Sequence, residues 1–232
     1  MKKLFYFFIL FQLNLSCFSD DSDNTENVNN PTNYSFTNGP VMNYGNLSSP
    51  TIITSCGQTW MKENIRATKY KNGDQIQYVT DPTAWAGLTT GAYCEYSTGG
   101  SVYGYLYNWY AVNDPRGLAP NGWHIPSIQE LENYVNCLGG YLVAGEKMKE
   151  VGVSHWNDPN YASNISGFTA RGGGLRSSTG NFVNIKQYGI LWSSTEYSAD
   201  RANACRLNSN TNYVYFDNSD KNTGYSIRFV KN

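Results

Sequence analysis

One run constrains the fold of this chain more than any other: YGYLYNWYAVNDPRGLAPNGWHIPS, residues 103–127. Its aromatic density demands a core large enough to bury several rings. Its Asp114-Pro115-Arg116-Gly117 corner is a turn signature, with Arg116 placed to reach a carbonyl or a carboxylate. It closes on a helix start. Ser127 precedes Glu130 by three residues, the capping-box spacing, in which the hydroxyl accepts from a first-turn amide and the carboxylate reaches back. Ile128, Leu131, Val135 and Leu138 then recur on one helical face, and Gly139-Gly140 supplies the left-handed stop. A shorter helix is expected over 144–151. Residues 105–112 read as either a short helix or a buried strand, which periodicity does not separate.

Elsewhere the signals are those of strands. Thr51–Thr54, Thr59–Met61 and residues 92–96 look extended, and Asn72-Gly73 marks a hairpin because both residues tolerate positive φ. From Ser166 onward short apolar pieces at 182–183, 188–192, 204–207, 213–216 and 225–230 alternate with Asn, Ser and Asp turns. Gly172-Gly173-Gly174 indicates a bulge or a close backbone approach. Helices followed by an antiparallel meander give an α+β fold, with one or two helices packed on twisted antiparallel sheets.

The N-terminal segment is a targeting signal by pattern. Lys2 and Lys3 precede an apolar run, 4–11, that is too short to span a bilayer, so residues 1–16 read as a signal peptide. Leu15-Ser16-Cys17 resembles the lipobox of bacterial lipoproteins, although Asn14 stands where Leu is usual. The resemblance implies lipidation at Cys17 and a membrane anchor made of acyl chains; the alternative is a cleaved, freely secreted protein. Phe18-Ser19-Asp20-Asp21-Ser22-Asp23 is similar to surface-export signals of Bacteroidetes lipoproteins, which implies the outer membrane and the cell surface; the alternative is an ordinary solvated tether. Residues 17–50 are rich in Asn, Ser, Thr, Asp, Gly and Pro and carry no period, so they read as a flexible tether with at most a short strand near its end. The folded domain is expected over 51–232.

A formal net charge of −1 gives no electrostatic case for nucleic acid. Nineteen tyrosines beside only 15% charged residues suit an extracellular β-rich surface built from Tyr and Asn. With Cys17 set aside, Cys56, Cys94, Cys137 and Cys205 remain; they allow three pairings, among which sequence does not choose. An exported location permits disulfides. No Cys/His spacing suggests zinc, and His124 and His155 are isolated, so neither a metal nor a cofactor is expected.

Several segments together resemble the Fibrobacter succinogenes major paralogous domain: the 103–127 run, GEKMKE (145–150), SGFTARGGGLR (166–176), LWSSTEYS (191–198) and GYSIRFVK (224–231), with TWMKENI (59–65) and NGDQI (72–76) before them. Phe229 departs from the cysteine expected in that family's ending, which puts a disulfide to the last strand in doubt. The resemblance implies a fold similar to C-type lectins and formylglycine-generating enzymes, with the first and last strands of the domain close together. GWHIPSIQEL (122–131) is similar to the strand-to-helix junction of the latter.

Each candidate chemistry has an ordinary reading beside it. Trp156-Asn157-Asp158 resembles the tripeptide of calcium-dependent lectins but lies too early in the chain, and reads as a plain loop. An oxidase of the formylglycine-generating type needs two late cysteines; only Cys205 is present, beside Arg206, and it reads as a half-cystine or buried thiol. Arg171, Arg176, Glu196 and Arg228 read as ion pairs that hold the sheet. The segment 203–223 carries Asn203, Asn208, Asn210, Asn212, Tyr213, Tyr215, Asp217, Asn218 and Asn222, the palette of adaptable binding loops. The expected ligand face joins these to Trp192, Glu196 and Tyr197. The expected function is a surface lipoprotein serving as a non-enzymatic binding or adhesion module, with a glycan or cell-surface protein as partner. Alternatives are an oxidase relative, a self-associating surface component, and a binder diversified by a retroelement.

Overall fold

The computed structural model describes residues 36–44, 47–54, 56–96 and 100–232. The expected leader 1–16, the lipidation candidate Cys17 and the first part of the expected tether lie outside them. The chain opens with β1 (Phe36–Asn38), β2 (Met42–Tyr44), β3 (Leu47–Ser49), β4 (Thr51–Thr54), β5 (Thr59–Met61) and β6 (Gln77–Tyr78). Then follow α1 (Pro82–Ala86), β7 (Ala92–Cys94), α2 (Gly100–Tyr103), β8 (Leu106–Tyr107), α3 (Trp109–Val112), β9 (Trp123–His124), α4 (Ile128–Cys137) and α5 (Ala144–Met148). The last third holds β10 (Leu175–Arg176), β11 (Phe182–Val183), β12 (Tyr188–Glu196), β13 (Arg201–Asn208), β14 (Val214–Asp220) and β15 (Val230–Lys231). This is an α+β fold with short helices. Among the described residues no helix is long and apolar enough to cross a membrane.

The capping box forms as read. The Glu130 N–H donates to Ser127 Oγ (3.3 Å), and the Ser127 N–H donates to Glu130 Oε2 (2.8 Å). The helix buries Leu131, Tyr134, Val135 and Leu138, and Gly139 (φ 99) and Gly140 (φ 90) end it in the left-handed region. The segment 105–112 resolves into both of its readings, β8 and then α3, with Asn108 capping the helix by accepting from the Ala111 N–H. Gly172 makes the expected close approach, since a Cβ there would meet the His155 carbonyl and Lys186 Cα, each at 2.9 Å.

One sheet has the order β1-β4-β5-β15-β9. Val230 lies opposite both Trp60 and His124, so the last strand of the chain sits inside this sheet, beside one of the earliest. Part of the expected tether also belongs here. β1 pairs antiparallel with β4, Phe36 opposite Thr54, while β2 and β3 pair with each other in a two-stranded sheet of their own. Backbone pairing along a sheet edge asks little of side-chain composition, which is why a polar segment could join it.

The segment 225–230, expected as one strand, is instead a buried extended run shared among several partners. Tyr225 bridges to Tyr107, Ser226 to Leu191, and the Ile227 and Phe229 carbonyls accept from the Ile65 and Met61 N–H groups. Phe229, standing where the family resemblance leads one to expect cysteine, is fully buried in the core among Met61, Trp192 and Ile227. Filling such a site with a phenyl ring stabilises by about 1.5–3 kcal/mol relative to exposure. Among the described residues one disulfide forms, Cys56 to Cys137, joining the β4–β5 turn to the end of α4 across 81 residues. Cys94 and Cys205 are buried free thiols in different clusters, so none of the fully paired arrangements considered above is realised.

Candidate functional site

The strands β12, β13 and β14 form a separate antiparallel sheet, and its register decides which candidate residues can meet. Trp192 lies opposite Ala204, Ile190 opposite Arg206, and Tyr188 opposite Asn208. Arg206 in turn lies opposite Tyr215, and Ala204 opposite Asp217. Residues directly opposite share a face, and side chains alternate along each strand. One face therefore carries Leu191, Cys205, Leu207 and Val214, all buried against α4. The other carries Ile190, Trp192, Ala202 and Ala204, buried against Tyr225 and Ile227. Toward the β13–β14 turn that second face runs out of core and emerges as Tyr188, Arg206, Asn208, Tyr213, Tyr215 and Asp217.

Arg206 organises this emergent corner. Its guanidinium carbon lies 4.3 Å from the centroid of Tyr215 and 5.1 Å from that of Tyr188, so two rings flank one cation. Its Nε donates to Asp217 Oδ2 (2.6 Å) and its Nη1 to Asn208 Oδ1 (2.7 Å). Tyr213 extends the aromatic row, its ring 6.2 Å from that of Tyr215, and is 43% exposed. Rings, a guanidinium, an amide and a carboxylate thus share a surface with their rotamers fixed by one another.

The turn beneath this corner is held from inside. Lys149, at the end of α5, is fully buried, and its ammonium donates to the carbonyls of Asn208 (2.9 Å), Ser209 (2.9 Å) and Thr211 (2.8 Å). Those bonds use all three of its donors. Burial pushes the ammonium down to about 8, and the charge of Glu146 opposes that fall. The Gly145 N–H adds a bond to the Asn212 carbonyl (2.8 Å). The main chain of the turn is therefore gripped while the Asn210 side chain stands exposed.

At the opposite end of the sheet a second buried lysine, Lys221, pairs with Glu196. Its ammonium also donates to the Ala199 carbonyl (2.7 Å) and lies 4.9 Å from the Trp109 ring centroid. Tyr197 is exposed here, and Asn203 Nδ2 donates to the Thr195 and Glu196 carbonyls (3.4 Å each).

The expected ligand residues therefore do not form one group. Asn208, Tyr213, Tyr215 and Asp217 converge at the turn end, with Asn210 exposed on the turn itself and Asn212 half-buried. Glu196, Tyr197 and Asn203 lie at the other end. Trp192 is a correction: it is fully buried, packed at a tilt against Tyr225 with ring centroids 4.4 Å apart, and its Nε1 donates to the Tyr107 carbonyl (2.9 Å), so it builds core and offers no ligand surface. Arg206, Tyr188 and Lys149 were not among the expected ligand-face residues. Alternation along 204–208 puts Arg206 on the face of Ala204 and Asn208, a signal that was available; Lys149 is brought to its carbonyls only by tertiary structure.

The other candidates resolve in physical terms. Cys205 is buried, and burial pushes its thiol up to about 12, with Asp217 raising it further and Arg206 opposing, so it stays protonated at neutral pH. Trp156 is a core residue whose Nε1 donates to the Ala170 carbonyl (2.9 Å), with Asn157 and Asp158 exposed in a loop. Arg171 and Glu196 form the expected ion pairs, with Glu150 and Lys221. Arg176 and Arg228 do not, because they hold backbone and amide oxygens instead: Arg176 those of Thr80 (2.8 Å) and Gly180 (3.0 Å), Arg228 the Asn64 side chain (3.0 Å) and the Phe168 carbonyl. Arg116 binds Asp114 (2.8 Å) and Asp74 (3.3 Å) over the Tyr70 ring. Among the described residues no cluster of three or more His, Cys, Asp or Glu could hold a metal ion.

No curated protein and no solved structure matches the chain. The model of the Fibrobacter succinogenes major domain matches residues 53–231, from β4 through β15, and the chain belongs to that family.

Proposed function

We propose that this protein is an exported, lipid-anchored surface protein whose C-type lectin-like domain is a non-enzymatic binding or adhesion module for a glycan or a cell-surface protein. The observation that carries the reading is the corner built by Arg206, Tyr188, Tyr213, Tyr215, Asn208 and Asp217. Half-exposed rings offer flat apolar area to a sugar face or to a protein side chain. The guanidinium, amide and carboxylate beside them match hydroxyls and carbonyls. Because the turn is fastened through its main chain, the surface is pre-organised, and little ordering cost is left to binding. The protonated, buried thiol of Cys205 favours binding over thiol-based oxidation.

The test is a glycan array together with capture from bacterial and host cell surfaces, using the wild-type protein and the Tyr213→Ala/Tyr215→Ala double variant. Wild-type binding that falls about tenfold or more in the double variant, with Cys205→Ser unchanged, supports the reading. Binding that ignores both tyrosines, or no binding in either format, sinks it.

A further inference from the structure

The edge strand β14 has a short open length of backbone, and the geometry points to it as a docking site for an extended, basic peptide that adds a fourth strand to the β12-β13-β14 sheet. Two bonds fix which way its backbone groups face. The Lys221 N–H donates to the Asp200 carbonyl (2.9 Å), toward β13, and the Val214 N–H donates to the Tyr141 carbonyl (2.8 Å), away from it. The N–H and C=O of one strand residue point the same way, and successive residues alternate. Tyr215, Asp217 and Ser219 therefore face β13, while Phe216, Asn218 and Asp220 face outward. β14 pairs with no strand but β13 among the described residues.

Both ends of the open length are closed. At one end the Val214 N–H is taken by Tyr141; at the other, Arg201 Nη2 reaches round to the Asn218 carbonyl (2.7 Å). What remains open between them is the Val214 C=O, the Phe216 N–H and C=O and the Asn218 N–H, enough for a strand of about three to five residues to exchange bonds as in strand addition. Natural edges are commonly blunted along their whole length; here the blunting stops short of the middle.

The ground beside this edge indicates the chemistry of the occupant. A groove runs along it, lined by Glu132 and Asn136 of α4, Tyr141, Val214, Tyr215 and Phe216. Glu132 is half-buried with no ion-pair partner among the described residues, and Asp220 is exposed at the end of β14. A Lys or Arg from the incoming strand, placed on the α4 side next to Phe216, would meet Glu132. A second copy of β14 would instead bring a strand whose charged residues, Asp217 and Asp220, are all acidic beside Glu132 and its own acids, so charge favours a foreign basic strand over self-pairing. Tyr215 borders both this groove and the ring-bearing corner, but the strand addition uses the backbone of β14 and needs no ligand at the corner.

The experiment is amide hydrogen exchange by NMR on the protein, titrated with the synthetic peptide acetyl-Thr-Val-Lys-Val-Thr-amide. Its comparators are the same peptide with Glu for Lys and the same peptide N-methylated along its backbone. The expected result is slowed exchange at the Phe216 and Asn218 N–H groups, with affinity about tenfold lower for the Glu peptide and lost for the N-methylated one. Asn218→Pro removes an outward N–H without costing a bond to β13, and is expected to weaken binding about tenfold while leaving the circular dichroism unchanged. Glu132→Lys is expected to reverse the preference toward the Glu peptide. The proposal is overturned if the two amides are unaffected at millimolar peptide, if the N-methylated peptide protects them equally, or if they are already protected in a sedimenting dimer without peptide.

Discussion

The two ends of the late sheet are each fastened by a buried lysine, but to different kinds of partner. At the turn end Lys149 grips three main-chain carbonyls. At the other end Lys221 depends on the Glu196 carboxylate, with one carbonyl and the Trp109 ring in support. A clamp on carbonyls is indifferent to which side chains the turn carries. A clamp on a carboxylate ties the local fold to one side chain. The turn end is thus the part of the sheet whose surface residues are free to be chosen for contact, and it is also the end where Arg206, Tyr213 and Tyr215 gather.

This contrast can be broken by experiment, and the largest effect is expected at the turn. Lys149→Met leaves three carbonyls without their donor in a buried site and should cost about 3–5 kcal/mol in urea unfolding. A cost below about 1 kcal/mol would mean that the turn is held by something else. Lys221→Met removes a cation whose partner Glu196 can return to water, and a loss of about 1–3 kcal/mol is expected by the same measurement. Equal losses at the two lysines would erase the distinction.

The pH dependence sharpens the comparison. Burial lowers the Lys149 ammonium in the folded chain to about 8, against about 10.4 in the unfolded one. Between those values the unfolded chain holds more protons, so this group's contribution to stability rises with pH. The stability difference between wild type and Lys149→Met should accordingly widen from pH 8 to 10; a gap that narrows over that interval contradicts the assignment.

Smaller effects are expected from side chains in contact with water. Glu196→Gln should cost less than about 1 kcal/mol, because the carboxylate is half exposed and Lys221 keeps its carbonyl. Asn210→Ser, on the exposed turn, should leave the unfolding midpoint within about 0.5 kcal/mol of wild type, since the clamp ignores its side chain. A large loss at Asn210 would show that the turn depends on side-chain identity after all.

Local signals carried much of the fold. The Ser127–Glu130 box, the α4 face and the Gly139-Gly140 stop are all short-range chemistry, and each forms as the sequence indicates. The late strands were legible as pieces, though β12, β13 and β14 run longer than their apolar cores because polar residues such as Ser193, Asn203 and Asp217 fit the pleat equally well. Less was legible in the site. Trp192 looked like an exposed aromatic beside polar neighbours, but only three-dimensional packing shows that Tyr225 and Ile227 cover it. Lys149 lies 59 to 62 residues from the carbonyls it binds, a separation at which no sequence window reports contact. The Cys56–Cys137 choice was likewise settled by which two ends the fold brought together.

The position of β15 makes it a keystone of the largest sheet. Val230 joins Trp60 on one side and His124 on the other, so among the described strands β9 is held to this sheet through β15 alone. Without β15 an open slot lies between β5 and β9, and the buried Phe229 and Val230 leave the core with it. A variant lacking residues 229–232 is expected to remain a protease substrate rather than a folded product.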